Sequence, residues 1–374
     1  MKKSDIKYDV LINYDLIKQS YKEVMKNIVH KNKIMNFDLF YSENISKIYD
    51  EIKNKRYKHG QYSIFLITDP KYRIVMSESV QDKVVNHMVT NAILNPVLSK
   101  KLIEENVATR KNKGTKAGFD YTKKYFLKYM NKYEKFYILK FDITKYFYNI
   151  NHEILKEMMR SIYKDEDIIK ILDELIDSTD KEYINKNIDK IIQKELKSNL
   201  SDYCKTELSK IPRYNKEVGL SIGAVSNQIF ACYYLNSLDH YIKEVLHIKE
   251  YVRFQDDGII FSNSKEELVK IKELIKAFLN DKLKLKLNEK TDIYSSNDGL
   301  DFVGYRFYVK NKKLIIRLRK RTKKKMQHKF KVLRKYNVEK YMKVYGSYKG
   351  MMLYITPKYL YKQELKKYNN WIFL

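Results

Sequence analysis

Hydrophobic and polar positions follow two periods along this chain, and the periods divide it into elements. Residues 14–56 carry apolar side chains at helical spacing. "YSIFLI" (62–67) and "YRIVM" (72–76) are β-forming runs on either side of "TDPK" and read as two short strands joined by a turn. Residues 79–104 return to a helical pattern, and "FYILKFDI" (136–143) is a β-rich run expected to form a central strand. Residues 153–210 are charged, periodic and helical. Segment 219–246, "GLSIGAVSNQIFACYYLNSLDHYIKEVL", opens as a glycine-containing loop and becomes a helix. "YVRFQDDGIIF" (251–261) reads as strand–turn–strand, 265–280 as a helix, and "FVGYRFY" with "KLIIRLR" as a small hairpin. From about residue 320 the pattern is helical and basic: Met326, Phe330 and Leu333 share one face at i, i+4 and i+7, with cations on the others. No internal repeat and no Pro- or Gly/Ser-rich linker breaks this order.

Composition adds a partner to the picture. The chain has 374 residues, enough for a large core and several subdomains, and 75 Lys+Arg against 46 Asp+Glu leave a net charge of +29. Such an excess repels itself in a compact state, so a polyanion is the expected partner, and nucleic acid fits because neutralised phosphates release counterions. A Lys-, Asn-, Ile- and Tyr-rich composition also follows from an AT-rich genome, but that does not remove acidic residues. The 34 Tyr and 16 Phe supply both core and stacking surface. Cys204 and Cys232 form neither a close pair nor a Cys/His ligand pattern, which argues against structural zinc or a disulfide scaffold and for a reducing cytoplasm. The N-terminus lacks an uninterrupted apolar stretch of the signal-peptide kind, and no apolar run approaches membrane-spanning length.

Chemistry concentrates in two places. "QDDG" puts Asp256 and Asp257 side by side between apolar flanks, and by itself reads as an ordinary hairpin turn. "KFDITKYF" puts Asp142 within or just after an apolar strand, with no basic residue in that strand as its obvious partner. If the two strands are neighbours, Asp142 and Asp256 converge, and converging carboxylates repel unless cations fill the gap. Two Mg²⁺ ions about 3.5–4 Å apart would do so. Oxygen ligands without His or Cys suit Mg²⁺ or Mn²⁺ rather than zinc.

These residues carry a resemblance. "FDITKYFYNI" resembles motif A of reverse transcriptases, "GLSIGAVSNQ" motif B, "YVRFQDDGIIF" motif C with Phe254 in place of the usual Tyr, "LKLNEKT" (285–291) motif D, and "LDFVGYRF" motif E, the primer grip. Upstream, "FLITDPKYRIVMSESVQDKVVNHMV" resembles the fingers motif and "RKNKGTKAG" (110–118) the one that follows it. All occur in family order between about residues 50 and 310. "RKNKGT", a motif B beginning Gly-Leu-x-Ile-Gly, and "YGSYKGMMLY" (345–354) are similar to bacterial diversity-generating retroelement enzymes and to the unknown-group enzymes, many of them phage-defence reverse transcriptases. The span of about 60 residues between motifs A and B is longer than the minimal spacing and has no role in the resemblance.

The resemblance implies roles. Asp142 and Asp256 match the two main metal ligands and Asp257 the accessory one, with the Ile143 carbonyl as a further ligand. Phe147, five residues after Asp142, matches the steric gate that rejects a ribose 2′-hydroxyl, and is equally at home as a core aromatic. Lys71 and Arg73 match the grip on the incoming triphosphate, Arg73 by bidentate contacts, or are solvated hairpin charges. Lys290 matches the motif D proton donor to pyrophosphate, or is a surface lysine. Gly219, Ile222, Gly223, Ser226 and Gln228 line motif B, where "SNQ" replaces the commoner "TSQ". Ile222 stands where many family members carry Gln, a feature that goes with error-prone copying in the diversity-generating group. Arg110, Lys111, Lys113 and Lys116 would track template phosphates. Gly304, Tyr305, Arg317, Arg319, Arg321 and Lys324 would lie along the template–primer duplex, read by shape. His87 and His152 have no metal-spaced partners and read as structural or substrate-adjacent.

The expected fold is α+β, a right-hand polymerase: fingers with N-terminal helices over 1–135, a palm with an antiparallel sheet over 136–310 holding a helical insertion at about 153–212, and a basic helical thumb over 311–374. The expected activity is RNA-directed DNA polymerisation with two Mg²⁺ ions (Mn²⁺ as a substitute), using an RNA template, a DNA or RNA primer and dNTPs, in the cytoplasm and away from membranes. A dedicated noncoding RNA or a neighbouring accessory protein are the further partners. Antiphage defence is the first reading of its role. A diversity-generating retroelement enzyme and an inactive nucleic-acid-binding palm are the alternatives.

Overall fold

The helical pattern at the start of the chain resolves into α1 (Tyr14–Asn27), α2 (Lys31–Leu39) and α3 (Tyr41–Lys53) in a computed structural model that describes residues 3–27, 31–68, 71–336, 338–356 and 358. Strands β1 (Ser63–Ile67) and β2 (Arg73–Ser77) pair antiparallel; two residues of the expected "TDPK" turn lie outside the described residues. Helix α4 (Val80–Val89) starts at Ser79, whose hydroxyl accepts the Asp82 N–H at 3.0 Å. After a π-helical turn over Thr90–Leu94, α5 (Asn95–Leu98) ends the run, so the helix expected to reach 104 stops at Leu98. The chain beyond it is claimed by another element. Arg253 N–H donates to the Glu105 carbonyl at 3.1 Å and Val107 N–H to the Arg253 carbonyl at 3.0 Å.

Helix α6 (Thr115–Lys132) leads into β3 (Tyr137–Phe141). The charged periodic stretch forms α7 (His152–Ile162), α8 (Glu166–Ile176), α9 (Glu182–Leu196) and α10 (Asp202–Ser209). Side chains of Asn151, Asp165 and Ser201 cap α7, α8 and α10. The glycine-containing loop then opens α11 (Val225–Tyr234) and α12 (Asn236–His240). Strands β4 (Tyr251–Phe254) and β5 (Asp257–Ser262) form the expected hairpin, followed by α13 (Lys265–Leu283). A strand not anticipated from the pattern, β6 (Asp292–Ser295), comes next, then β7 (Leu300–Phe302), β8 (Tyr305–Lys310) and β9 (Lys313–Leu318), and the basic helices α14 (Lys320–Tyr336) and α15 (Val338–Met352).

The described residues fall into two compact units, one from residues within 1–103, 143–240 and 277–286, the other from 104–142, 241–276 and 287–374. The first is helical around the β1–β2 hairpin. Ile184, Ile188 and Ile192, one stripe of α9, bury against Ile74 and Met76 of β2. The second holds an antiparallel sheet ordered β4-β5-β3-β6 and a second sheet ordered β7-β8-β9. Its core joins Phe119 and Phe126 of α6, Ile138 of β3, Phe261 of β5, Phe307 of β8 and the α14 residues Met326 and Phe330. The apolar face of α14 is thus buried as its spacing implied. Among the described residues no helix is long and apolar enough to cross a membrane.

Candidate active site

The site lies in the second unit, where an apolar sheet face turns polar. Period two places Phe136, Ile138, Lys140 and Asp142 in one row, and the ladder sets Ile138 opposite Phe261 and Lys140 opposite Ile259. Phe136, Ile138, Ile259 and Phe261 are core. One step further along, the same face carries Lys140 with Asp257: Lys140 Nζ lies 3.7 Å from Asp257 Oδ1 and donates to the Asp301 carbonyl at 3.0 Å. The strand thus holds a basic residue, and the acid it reaches is Asp257 rather than Asp142.

The turn between β4 and β5 consists of Gln255 and Asp256, since Phe254 pairs with Asp257. A two-residue hairpin favours positive φ at its first central position. Gln255 supplies it at φ +56°, a conformation glycine would adopt more cheaply. Arg253 holds this turn from below. Its side chain is wholly buried and its Nη1 donates to the Gln255 carbonyl at 2.7 Å. Gly258, the apparent turn residue of "QDDG", stands instead inside β5 opposite Phe141, whose ring covers it.

Three carboxylates meet here. Burial first, and then the charges of Asp142 and Asp257, push the Asp256 carboxyl up to about 7, and it shares a hydrogen bond with the Asp142 carboxyl. Asp257 is raised too, by burial, with Lys140 and Arg319 opposing and Asp142 reinforcing. Asp142 is fixed by its backbone. Its N–H donates to Thr291 Oγ1 at 3.3 Å, and its carbonyl accepts the Asn288 N–H at 2.8 Å and the Thr291 hydroxyl at 3.4 Å. That segment carries Lys290. Asp142, Asp257, Lys290, Lys140, Arg306 and Arg319 are among the residues that line a cavity of about 240 Å³. Asp301 aligns the two arginines, accepting from Arg319 Nε at 3.1 Å and Arg306 Nη1 at 3.4 Å.

Residues 57–307, more than half of the chain and all three carboxylates, match the family described as reverse transcriptase (RNA-dependent DNA polymerase). The chain belongs to the reverse transcriptase family. Among curated proteins none matches it. Among solved structures it is similar to apo telomerase from Candida tropicalis truncated from its C-terminal domain, at 16% identity over 68% of this chain and 54% of that one, TM-score 0.45. It is also similar to apo telomerase from Candida tropicalis, at 16% identity over 68% and 47%, TM-score 0.47. A third is telomerase from Candida albicans in complex with a TWJ fragment of telomeric RNA, at 13% identity over 88% and 59%, TM-score 0.44. The chain spans about half the length of the solved structures it matches.

For a reverse transcriptase, the remaining residues singled out in the sequence are placed as follows. In the first unit, Arg73 opens β2 and is exposed, as is Lys71 before it. Arg73 lies near enough to Tyr148 to act on its phenol. Phe147 is half-buried in a 3₁₀ turn, and its carbonyl accepts the Leu220 N–H at 2.7 Å. Gly219 and Gly223 take φ of +103° and +139°, and a Cβ on Gly223 would stand 3.0 Å from the Met76 carbonyl, so backbone approaches backbone there. Ile222 and Gln228 are half-buried; Ser226 is buried and donates to Asn86 Oδ1. Ile143 is buried directly after Asp142. His87 pairs with Glu23 at 3.1 Å, a structural contact.

In the second unit, Lys113 and Arg110 both reach Glu104, at 2.6 and 3.6 Å, and Lys116 reaches Asp120 at 2.6 Å, while Lys111 is exposed. Gly304 takes φ +92° between β7 and β8. Tyr305 is 4% exposed, donates its hydroxyl to the Met351 carbonyl at 3.1 Å and packs on Phe119. Arg317 pairs across the ladder with Arg306; Arg321 and Lys324 are exposed on α14. Sequence reasoning missed Lys140, Arg253, Asp301 and Arg306. Lys140 could have been found, since period two from Asp142 lands on it.

Proposed function

We propose that this chain is an RNA-directed DNA polymerase that transfers a nucleotidyl group from a dNTP to a primer 3′ end on an RNA template. The observation that carries the proposal is the meeting of Asp142, which follows β3, with Asp256 and Asp257 of the β4–β5 hairpin, inside the region that matches the reverse transcriptase family. A carboxyl raised to about 7 by burial first and then by its acidic neighbours marks a site short of positive charge. An oxygen-only donor set fits hard divalent cations, so Asp142, Asp256 and Asp257, with the Ile143 carbonyl, would hold two Mg²⁺ ions, or Mn²⁺. Bound there, the cations would favour ionisation of the primer hydroxyl and neutralise charge on the transferring phosphoryl group.

The chain's own side chains do the rest. Lys290 faces the cavity that Asp142 and Asp257 line and serves as proton donor to the departing pyrophosphate. Lys71 and Arg73 bind the triphosphate, Phe147 excludes the ribose 2′-hydroxyl, and Ile222, Gly223 and Gln228 border the nascent base pair. With Ile222 aliphatic, no side-chain hydrogen bond to the nucleotide comes from that position, which supports error-prone copying. Arg110, Lys111, Lys113, Lys116, Gly304, Arg317, Arg319, Arg321 and Lys324 contact template and primer, with fingers, palm and thumb divided near residues 135 and 310. The motif spellings favour a bacterial, cytoplasmic enzyme of antiphage defence working with a dedicated noncoding RNA. A diversity-generating retroelement enzyme with an accessory protein is the second reading, favoured by Ile222.

Purified protein given a primed RNA template, dNTPs and Mg²⁺ should extend the primer, and Asp256→Ala should not. No extension by wild type, or equal extension by the variant, rejects the proposal. Sequencing the nucleic acid that copurifies separates the two biological readings.

A further inference from the structure

The helical insertion at 153–212 has no part in the motifs, yet its turn over 177–180 grips the loop that follows it. The Gly219 carbonyl accepts two hydrogen bonds, from His152 Nε2 at 2.8 Å and from the Thr179 hydroxyl at 2.6 Å, which fills both lone pairs of that oxygen. His152 and Thr179 are 0% and 3% exposed. The other side of the imidazole is held as well: Nδ1 lies 3.1 Å from Asp177 Oδ1 and 3.5 Å from Asp180 Oδ2. Each acid is tied down in turn, Asp177 by Lys156 at 2.7 Å and Asp180 by the Glu217 N–H at 2.9 Å. The His152, Asp177 and Asp180 donor atoms lie within 4.8 Å of one another, close enough for a cation. The ammonium of Lys156 on Asp177 already supplies the positive charge such a cluster needs.

The gripped peptide is placed between two of the proposed nucleotide contacts. Gly219 N–H donates to the Ile150 carbonyl at 2.8 Å and Leu220 N–H to the Phe147 carbonyl at 2.7 Å. Further on, Asn227 Nδ2 donates to Ser221 Oγ at 2.8 Å. Only the tip, Ile222 and Gly223, is left open to solvent. The same insertion reaches the third contact through α9, whose isoleucines pack on Ile74 and Met76, the residues just after Arg73.

We infer that the inserted helices are a brace for the nucleotide pocket, with Thr179 and His152 as positioning residues that fix the 219–223 loop against Phe147. The inference rests on the proposed polymerase function for its consequence, but the brace itself is measurable without it. Thr179→Val keeps the shape and removes one of the two donors; Thr179→Ser keeps the donor. Loss of one hydrogen bond to a buried carbonyl is expected to speed amide exchange at Gly219 and Leu220 about three- to tenfold. It is expected to raise the dNTP KM by a similar factor and to loosen discrimination against rNTPs, with kcat and thermal midpoint little changed; Thr179→Ser should restore both. Unchanged exchange at 219–220 overturns the brace, as does a lowered kcat with KM and rNTP discrimination unmoved. If wild type extends no primer, the polymerase reading falls. Local exchange that rises in Thr179→Val, falls back in Thr179→Ser and persists in a metal chelator then upholds the brace. Exchange that changes only on chelation overturns it in favour of a metal at His152.

Discussion

Gly258 is the position where one methyl group should separate folding from activity. It lies in β5 opposite Phe141, so its chain neighbour Asp257 and Phe141's neighbour Asp142 depend on that one ladder pair for their spacing. A Cβ on Gly258 would stand 2.5 Å from Phe141 Cε1, 2.7 Å from Cε2 and closer still to Cζ. Carbon atoms rest near 3.5 Å, so the ring or the strand must yield by about 1 Å. Phe141 is wholly buried and stacks on Tyr251, which leaves the ring no open side to swing into. Overpacking of this kind costs about 1–3 kcal/mol. A displacement of about 1 Å among reacting groups costs about 100-fold in rate. Gly258→Ala should therefore lower the urea midpoint modestly while cutting single-turnover primer extension far more. Adding Phe141→Leu removes the ring atoms at fault, so the double variant should lose less than the sum of the single losses, a coupling readable in a double-mutant cycle. Gly258→Ala with wild-type midpoint and rate would refute the reasoning. So would strictly additive losses.

Arg253→Met should destabilise the protein by about 1.5–3 kcal/mol, the range for a hydrogen bond to a charged group, because the Gln255 carbonyl loses a buried guanidinium donor; urea denaturation reads it, and extension should fall with the turn that carries Asp256. Asp256→Asn removes a charge from a like-charged group, so in chelator at pH 8 its thermal midpoint should rise above wild type while extension is lost. His59 is buried, which lowers its proton affinity, but the hydrogen bond it donates to Glu78 and the charges of Asp82 and Glu78 outweigh burial and leave it raised. Its contribution to stability is then complete below the unfolded value of about 6.5 and disappears as pH rises through the folded value. Denaturation midpoints measured from pH 6 to 8 should fall for wild type, and that slope should flatten in His59→Gln.

Local pattern was enough for much of this protein. The β-rich run in 136–143, the Asp pair between β-forming flanks, the periodic helices after 152 and the apolar stripe of Met326 and Phe330 each follow from side-chain chemistry within a few residues, because strand and helix periods are properties of the backbone. Other features had no local signal. Strand β6 is mostly polar and half-exposed, and it is a strand only because the free edge of β3 offers it hydrogen bonds. The end of α5 at Leu98 and the burial of Arg253 follow from the pairing of 105–107 with β4. The "DG" dipeptide promised a glycine in the turn, but ladder register moved the turn back to Gln255 and Asp256 and put Gly258 beneath a ring. The family motifs named Asp142, Asp256 and Asp257 from sequence alone. Whether those carboxylates touch, which lysine faces them, and how a threonine in an inserted helical segment comes to hold the loop after Asn215 are settled by contacts between residues far apart in the chain. Register and packing set those contacts, and neither is encoded in any single stretch of sequence.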